Sequence, residues 1–256
     1  MSGKTSNPID MAHLLLAFFI IGALWQAASM VLNKPLLPAP YRVCQTWYAL
    51  MTTGVLWPHI ASSLYRMACG MACGLALALV TAVPTGIAAG RSRRWDALLS
   101  PFLYIFYSIP KVVFLPVIIV VLGLGDFPKI FIIAITVFFQ IAIMVRDAAK
   151  AIPEEQVMTM RSLCGTKWQN FRHLIWPACL PGILTALRTS LGIALALLFI
   201  TETFAAFSGL GYFIMNRMEV RNYEEMYAAI LTLAAIGIIA YIALDIAERK
   251  LCPWKK

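Results

Sequence analysis

Long apolar stretches, each closed by charges, proline or glycine, dominate the chain, at about 12–32, 61–90, 98–122, 128–148, 180–206 and 226–248. Each approaches or exceeds the roughly 20 residues that a helix needs to cross about 30 Å of hydrocarbon. Backbone placed there has no water to bond to and must satisfy itself as helix, whereas a membrane barrel would show short segments of period two. The pattern predicts an all-α polytopic membrane protein with six transmembrane helices, organised as one transmembrane domain over 1–256. The first run extends from near Met11 to Leu32 without a small-residue cleavage site, and reads as a retained helix rather than a removed signal peptide.

Composition agrees: 61% of residues are apolar and 13% charged, against roughly 45–50% and 25% in soluble domains. The formal charge of +9 would raise the question of nucleic acid in a soluble protein, but its distribution reads as topology. With the N-terminus inside, cytoplasmic segments hold Lys4, Arg91, Arg93, Arg94, Lys150, Arg161, Lys167, Arg172, Arg249, Lys250, Lys255 and Lys256, and external ones only Lys34, Arg42, Arg217 and Arg221. That bias places both termini in the cytoplasm. Arg66, Lys129, Arg146 and Arg188 lie near enough to span ends to snorkel toward water.

Lys111 does not. It follows Pro110 midway along the third span, with Pro116 beyond, so helical hydrogen bonds are interrupted there. An ionisable residue at membrane depth is a functional candidate by default, and broken helices beside one mark substrate sites in transporters. Two roles stay open: bracing, by freed carbonyls or an acid such as Glu202, or lining an anion path. Glu202, near the outer end of the fifth span, is likewise open between gate and brace.

In the second span a small residue stands at every fourth position: Gly70, Gly74, Ala78, Ala82, Gly86 and Gly90. Such a stripe lets another helix approach closely, a main source of association in lipid. The cysteines, Cys44, Cys69, Cys73, Cys164, Cys179 and Cys252, have neither disulfide-framework nor zinc spacing; Cys69 and Cys73 read as small apolar packing. The histidines are scattered, and no catalytic or metal constellation is present. A phosphate-cradling loop needs G-x-x-x-x-G-K-[ST], of which the chain has only the fragment Gly3-Lys4-Thr5. Energy must come from a partner.

Between the fourth and fifth spans lies a polar segment, 150–177. Pro153 suits a first helical position, with Glu154 and Glu155 where the helix dipole favours anions. Val157, Met160, Cys164, Trp168 and Phe171 then recur at helical spacing, giving one apolar face of a helix or of two short helices broken near Gly165. Arg161, Lys167 and Arg172 lie opposite. Periodicity alone leaves open a helix lying on anionic lipid.

The run Arg161 to Ile183 resembles the cytoplasmic loop of binding-protein-dependent ABC importer permeases, of the form E-A-A, three residues, G, nine residues, I-x-L-P. Trp168, Phe171, Arg172 and Pro177 carry the alignment. Met158, Thr159 and Met160 replace Glu-Ala-Ala, and Cys164 occupies the Gly position with Gly165 next to it. Further tags are similar to the nitrate/sulfonate/taurine/bicarbonate branch: Leu37-Pro38-x-Pro40, Ser63-Leu64-x-Arg66-x3-Gly70, Pro110-x5-Pro116, Arg188-x3-Gly192 and Glu202-Thr203-x5-Gly209-Leu210-Gly211. The resemblance implies a type I importer fold in the bacterial cytoplasmic (inner) membrane. It also implies a second permease copy, two cytoplasmic ATPase subunits that hold ATP and Mg, an external solute-binding protein and a small anionic solute. By the same resemblance, 150–177 is a coupling helix using Met160, Arg161, Cys164, Gly165, Trp168, Phe171, Arg172 and Pro177. A secondary transporter would show paired repeats and a self-sufficient ion site, and neither is evident.

Overall fold

The computed structural model describes residues 11–32, 34–204 and 206–255; the Gly3-Lys4-Thr5 fragment and the terminal lysines Lys4 and Lys256 lie outside them. The described chain is helical: α1 (Met11–Leu32), α2 (Pro40–Thr52), α3 (Trp57–Leu77), α4 (Val83–Arg91), α5 (Arg93–Ser108), α6 (Leu115–Leu122), α7 (Phe127–Lys150), α8 (Glu154–Ser162), α9 (Lys167–Asn170), α10 (Trp176–Phe204), α11 (Leu210–Glu219) and α12 (Tyr223–Leu251). Among the described residues, four stretches are long and apolar enough to cross a membrane, namely Trp57–Arg91, Phe127–Lys150, Lys167–Phe204 and Tyr223–Leu251. The pair Arg93–Ser108 and Lys111–Leu122, bent by 75°, makes a fifth if it is one broken span, and α1 contributes a shorter apolar helix, Phe19–Leu32.

The chain divides into two compact units, one of residues 1–57 and 213–231, the other of 58–212 and 232–256. In the first, the Trp25 indole N–H donates to the Pro38 carbonyl (3.1 Å), and the Trp25 ring lies 5.7 Å from that of Tyr227. Thr46 and Arg42 of the amphipathic α2 both reach Glu224.

The second unit is built around α7. Ile132, Ile133, Val137, Ile141 and Val145 are fully buried on a helix packed against α4, α5 and α10. The predicted small-residue stripe is the seam. A Cβ at Gly70 would lie 2.7 Å from the Ile133 side chain, one at Gly74 2.6 Å from the Ala134 carbonyl, and one at Gly90 2.6 Å from the Arg146 carbonyl, while Gly86 faces the Ala142 carbonyl. Ala78 and Ala82 are fully buried between them. Glycine alone fits at Gly70, Gly74 and Gly90, and small alanine fills the seam at Ala78 and Ala82. The stripe is therefore filled within the chain and leaves no unpaired small-residue face for a second copy.

A row at every fourth position drifts roughly 40° per step around a straight α-helix. The chain corrects this with a π-helical turn, Ala78–Ala82, closed by the Val83 N–H on the Ala78 carbonyl. A second π turn, Phe171–Ile175, is closed by the Trp176 N–H on the Phe171 carbonyl. Each ends two residues before a proline, Pro84 or Pro177. A proline ring strikes the carbonyl four residues back and offers no N–H to it; widening the turn relieves the clash without ending the helix. For that reason the segment predicted to stop at Pro177 does not stop: Lys167–Phe204 is one helical stretch of 38 residues. Pro153 stands at the N-cap of α8 rather than inside it.

Three arginines expected to snorkel are instead bracketed by acids, all but Asp147 on other segments. Arg66 pairs with Glu202 (2.7 Å) and Asp126 (2.7 Å), Arg146 with Asp96 (2.6 Å) and Asp147 (2.7 Å), and Arg188 with Asp245 (2.9 Å) and Glu248 (3.1 Å). Lys129 is buried too and donates to the Gly125 carbonyl. Arg66 and Arg146 are buried and Arg188 is half-buried, so each charge is met mainly by acids rather than carried out to water. Cys179 and Cys252 are buried, as small apolar residues would be, but Cys73 is exposed and Cys69 half-buried because both lie off the glycine face.

Candidate functional site

Four turns separate Ser63 from the middle of the stripe, and the spacing Ser63, Arg66, Gly70, Gly74 keeps one helix face. That face carries the hydroxyl and the guanidinium to the end of α10, where the Glu202 side chain is fully buried. Ser63 Oγ lies 2.9 Å from both Glu202 carboxylate oxygens, Arg66 Nη1 donates to Oε1 at 2.7 Å, and the Gly211 N–H donates to Oε2 at 2.9 Å. The following turn is tied to the same groups. Arg66 donates to the Ser208 carbonyl (2.7 Å) and hydroxyl (3.0 Å), the Leu210 N–H donates to Ser63 Oγ (2.8 Å), and the Gly209 N–H donates to His59 Nδ1 (3.2 Å). The first N–H groups of α11, which have no partner inside their own helix, are thus satisfied by α3 and α10.

Gly209 has φ +115° and its missing Cβ would collide with the Glu202 carboxylate; a Cβ on Gly211 would sit 2.7 Å from the Phe199 carbonyl. The tags Ser63-Leu64-x-Arg66 and Glu202 through Gly211 are therefore one structure, formed across 136 residues between Arg66 and Glu202. Sequence reasoning offered Lys111 as a partner for Glu202 and overlooked Arg66. The signal was present: Arg66 extends the glycine face, which has to be buried.

Lys111 stands at the bend between α5 and α6. Its ammonium donates to the Tyr107 carbonyl (2.7 Å), freed by the break at Pro110, and lies 5.5 Å from the ring centroids of both Tyr107 and Phe139.

The coupling-segment residues are brought together only in part. Of the predicted apolar face, Val157 is buried, Met160 and Phe171 are half-buried, and Cys164 and Trp168 are exposed. The exposed apolar side chains here are Met158 (57%), Leu163 (72%) and Trp168 (64%); periodicity missed Leu163 because it sits in the break between helices. Trp168 stacks on Phe171 at 5.6 Å, and Phe171 packs against Trp176 at 6.1 Å. Arg161 and Arg172 are exposed beside them, and Pro177 is half-buried at the end of the π turn.

The break itself is a left-handed helix stop. The Gly165 N–H donates to the Met160 carbonyl (3.1 Å) and the Cys164 N–H to the Arg161 carbonyl (2.9 Å), with Cys164 at φ +53°. Glycine usually takes that place, so Cys164 adopts the conformation that the motif's glycine supplies freely. Thr166 then restarts the helix: its Oγ1 accepts from the Gln169 N–H (3.3 Å) and its own N–H donates to Gln169 Oε1 (2.8 Å).

Residues 82–252 match the family described as binding-protein-dependent transport system inner membrane component. SsuC of Bacillus subtilis (strain 168), named for aliphatic sulfonates transport as a permease protein, is 32% identical over 96% of this chain and 88% of its own length. Its namesake in Escherichia coli (strain K12) is 34% identical over 91% and 88%, and the taurine transport system permease protein TauC of that organism 29% over 90% and 84%. Among solved structures, a chain of the MetNI methionine ABC transporter shares the fold with a TM-score of 0.63 at 20% identity, over 79% of this chain and 98% of that one.

Replacing Glu202 by Ala removes the buried partner of Arg66 and leaves it only the half-exposed Asp126, and should destabilise the protein by about 3 kcal/mol, read as thermal unfolding in detergent. The pair Arg66→Met and Glu202→Leu together should recover most of that loss. Simple addition of the two single-variant costs would mean that the groups are not coupled.

Cys164→Gly should stabilise the α8 stop by about 1 kcal/mol, the left-handed penalty of a side-chain-bearing residue, and Cys164→Val should do the opposite. Amide exchange over α8 reports the change. Faster exchange in the glycine variant would contradict the assignment of strain to Cys164.

Proposed function

The chain belongs to the binding-protein-dependent transport system inner membrane component family, and from that premise we propose that it forms the pathway by which a small organosulfonate is imported at the expense of ATP. It is an ABC transporter permease of the inner membrane, with a fold shared by importer permeases. The proposal adds six crossings over one transmembrane domain, with α1 as the first, both termini in the cytoplasm, a second copy of the chain, two ATPase subunits that carry ATP and Mg, and an external binding protein. The sulfonate assignment follows the relatives' names; an anionic solute also suits the cation at the bend.

One observation carries the mechanism. Lys167–Phe204 is unbroken, so the exposed Trp168 and the buried Glu202 stand on one helix, roughly 50 Å apart along its axis at 1.5 Å per residue. An ATPase subunit seated on Met158, Leu163 and Trp168, with Met160, Cys164, Gly165 and Phe171 shaping the turn, would move that helix as a rod. Closure of two such subunits then tips the end that bears Glu202, the Ser208–Gly211 turn and Arg66. Rigid-body gating of this kind needs a stiff element between the sites. The second copy rests on the family likeness, since α7 already fills the glycine stripe.

Truncating an exposed aromatic anchor at an interface often costs about 2 kcal/mol, which is about 30-fold in affinity. Trp168→Ala should therefore weaken co-purification of the ATPase subunits and uptake while thermal stability in detergent is kept. Arg161→Glu and Arg172→Glu, at the rim, should do so less. Undiminished ATPase binding and uptake in Trp168→Ala would assign this turn to the lipid surface instead.

The topology is checked by cysteine labelling in a background lacking the six native cysteines. Leu124→Cys and Val220→Cys should react with an impermeant reagent from outside, and Arg93→Cys and Lys167→Cys only from inside. External reactivity at Lys167 would overturn the coupling mechanism.

A further inference from the structure

The end of α1, the loop into α2 and the turn from α11 into α12, all within the first unit, surround a cavity of about 710 Å³. We propose that this cavity is the docking point of the external binding protein on the permease, and that it takes an acidic loop of that partner. The proposal rests on the importer reading and the topology above, and adds to them where the partner holds and by which charge.

Placement of charge is the first reason. With both termini in the cytoplasm, the external segments hold four basic residues, and three of them, Lys34, Arg42 and Arg221, line this one cavity. The fourth, Arg217, is engaged by Glu225 at 2.7 Å. Against three cations the lining has one acid, Glu224, which meets Arg42 only at 3.8 Å, with side chains 42% and 60% exposed. Such a pair holds weakly. The side chains of Lys34 and Arg221 have no hydrogen bond or ion pair among the described residues. A concave surface with unbalanced charge of one sign focuses its field and draws in the opposite charge.

The backbone at Arg221 is the second reason. α11 ends in a left-handed stop: the Asn222 N–H donates to the Arg217 carbonyl (2.9 Å), the Arg221 N–H to the Met218 carbonyl (3.0 Å), and Arg221 has φ +58°. Glycine usually fills that position, because a side chain there is strained. The Asn222 Oδ1 accepts from the Glu225 N–H (3.3 Å), so the turn is fixed on its far side as well. An arginine kept in a strained place, with its guanidinium unengaged among the described residues, points to a group outside the molecule.

The chemistry of the occupant follows from the lining. A guanidinium fork matches a carboxylate through two parallel hydrogen bonds, and arginine and tyrosine are the usual anchors of protein partners. Tyr41 and Tyr223 stand in the lining with Arg42 and Arg221. The volume exceeds what one carboxylate fills, which suits a loop bearing several acids. A lipid phosphate would bring the anion, but the polar Gln26, Ser29 and Asn222 continue the lining where an acyl chain would have to lie.

The test uses the intact permease–ATPase complex in nanodiscs and the solute-binding protein that stimulates its ATP hydrolysis. Absence of such stimulation in the parent complex overturns the importer reading, and the docking point with it. With stimulation present, association kinetics of the binding protein test the docking point by itself. Arg221→Gly puts into the turn the residue that its backbone favours, so thermal stability in detergent should hold or rise. Combined with Lys34→Gln it should lower the association rate at least about tenfold at low salt and flatten its salt dependence. Lys34→Gln alone, in an exposed loop, should lower the rate about threefold, and reads the same surface should Arg221→Gly not assemble. Parental rates and salt dependence in these variants overturn the docking point. So does a loss that occurs in nanodiscs of phosphatidylglycerol but not of phosphatidylcholine, which assigns the cavity to a lipid head group.

Discussion

A carboxylate at the end of a membrane-spanning helix can remain ionised only if something other than water solvates it. For Glu202 that is Arg66, Ser63 and the backbone of Gly211. Each ion costs several kcal/mol to bury, and the pair is tolerable only because its geometry is saturated with hydrogen bonds. Much else follows from that saturation. The face of α3 bearing Arg66 has to meet α10; the Ser208–Gly211 turn has to fold back over both; and Gly209 and Gly211 have to lack side chains, since the carboxylate and the Phe199 carbonyl already occupy the space.

The same rule recurs along the bundle. Arg146 joins α7 to Asp96 of α5, and Arg188 joins α10 to Asp245 and Glu248 of α12. Charges at these helix faces are thus fastened to neighbouring helices rather than extended toward water. They act together with the glycine seam: close backbone approach gives the contact area, and the ion pairs make registers other than the observed one leave a buried charge alone. Specificity gained this way differs from stability, because an apolar replacement of both partners could leave a pair's stability unchanged.

Proline is used in two ways. At Pro84 and Pro177 a π turn absorbs the ring and the helix continues, so that after Pro177 the exposed Trp168 and the buried Glu202 share one helical stretch. At Pro110 the helix is not repaired, and the chain turns by 75°. The difference lies in the neighbourhood: Ile109 and Pro110 are both extended, with ψ near 126° and 106°, and the freed Tyr107 carbonyl has Lys111 to accept from. A continuous helix and a sharp bend therefore come from one residue type in two settings.

Hydrophobic run length by itself determined the class: helices of this apolarity have few places to be except a membrane, and their backbones must be helical there. Period four in Gly70 to Gly90 determined that a helix would sit against that face, and Gly165 beside polar residues determined a break in the segment 150–177. What those patterns could not say is which helix fills the seam; that it is α7 of the same chain depends on contacts over more than 50 residues. Nor could they pair charges. Arg66 read as a snorkelling residue because distance from a span end is visible in a sequence and the burial of its face is not. The left-handed stop at Cys164, the continuity of Lys167 through Phe204, and the two rings against Lys111 were likewise decided only in three dimensions. Each depends on how a turn closes or which rings converge, and local propensity is silent about both.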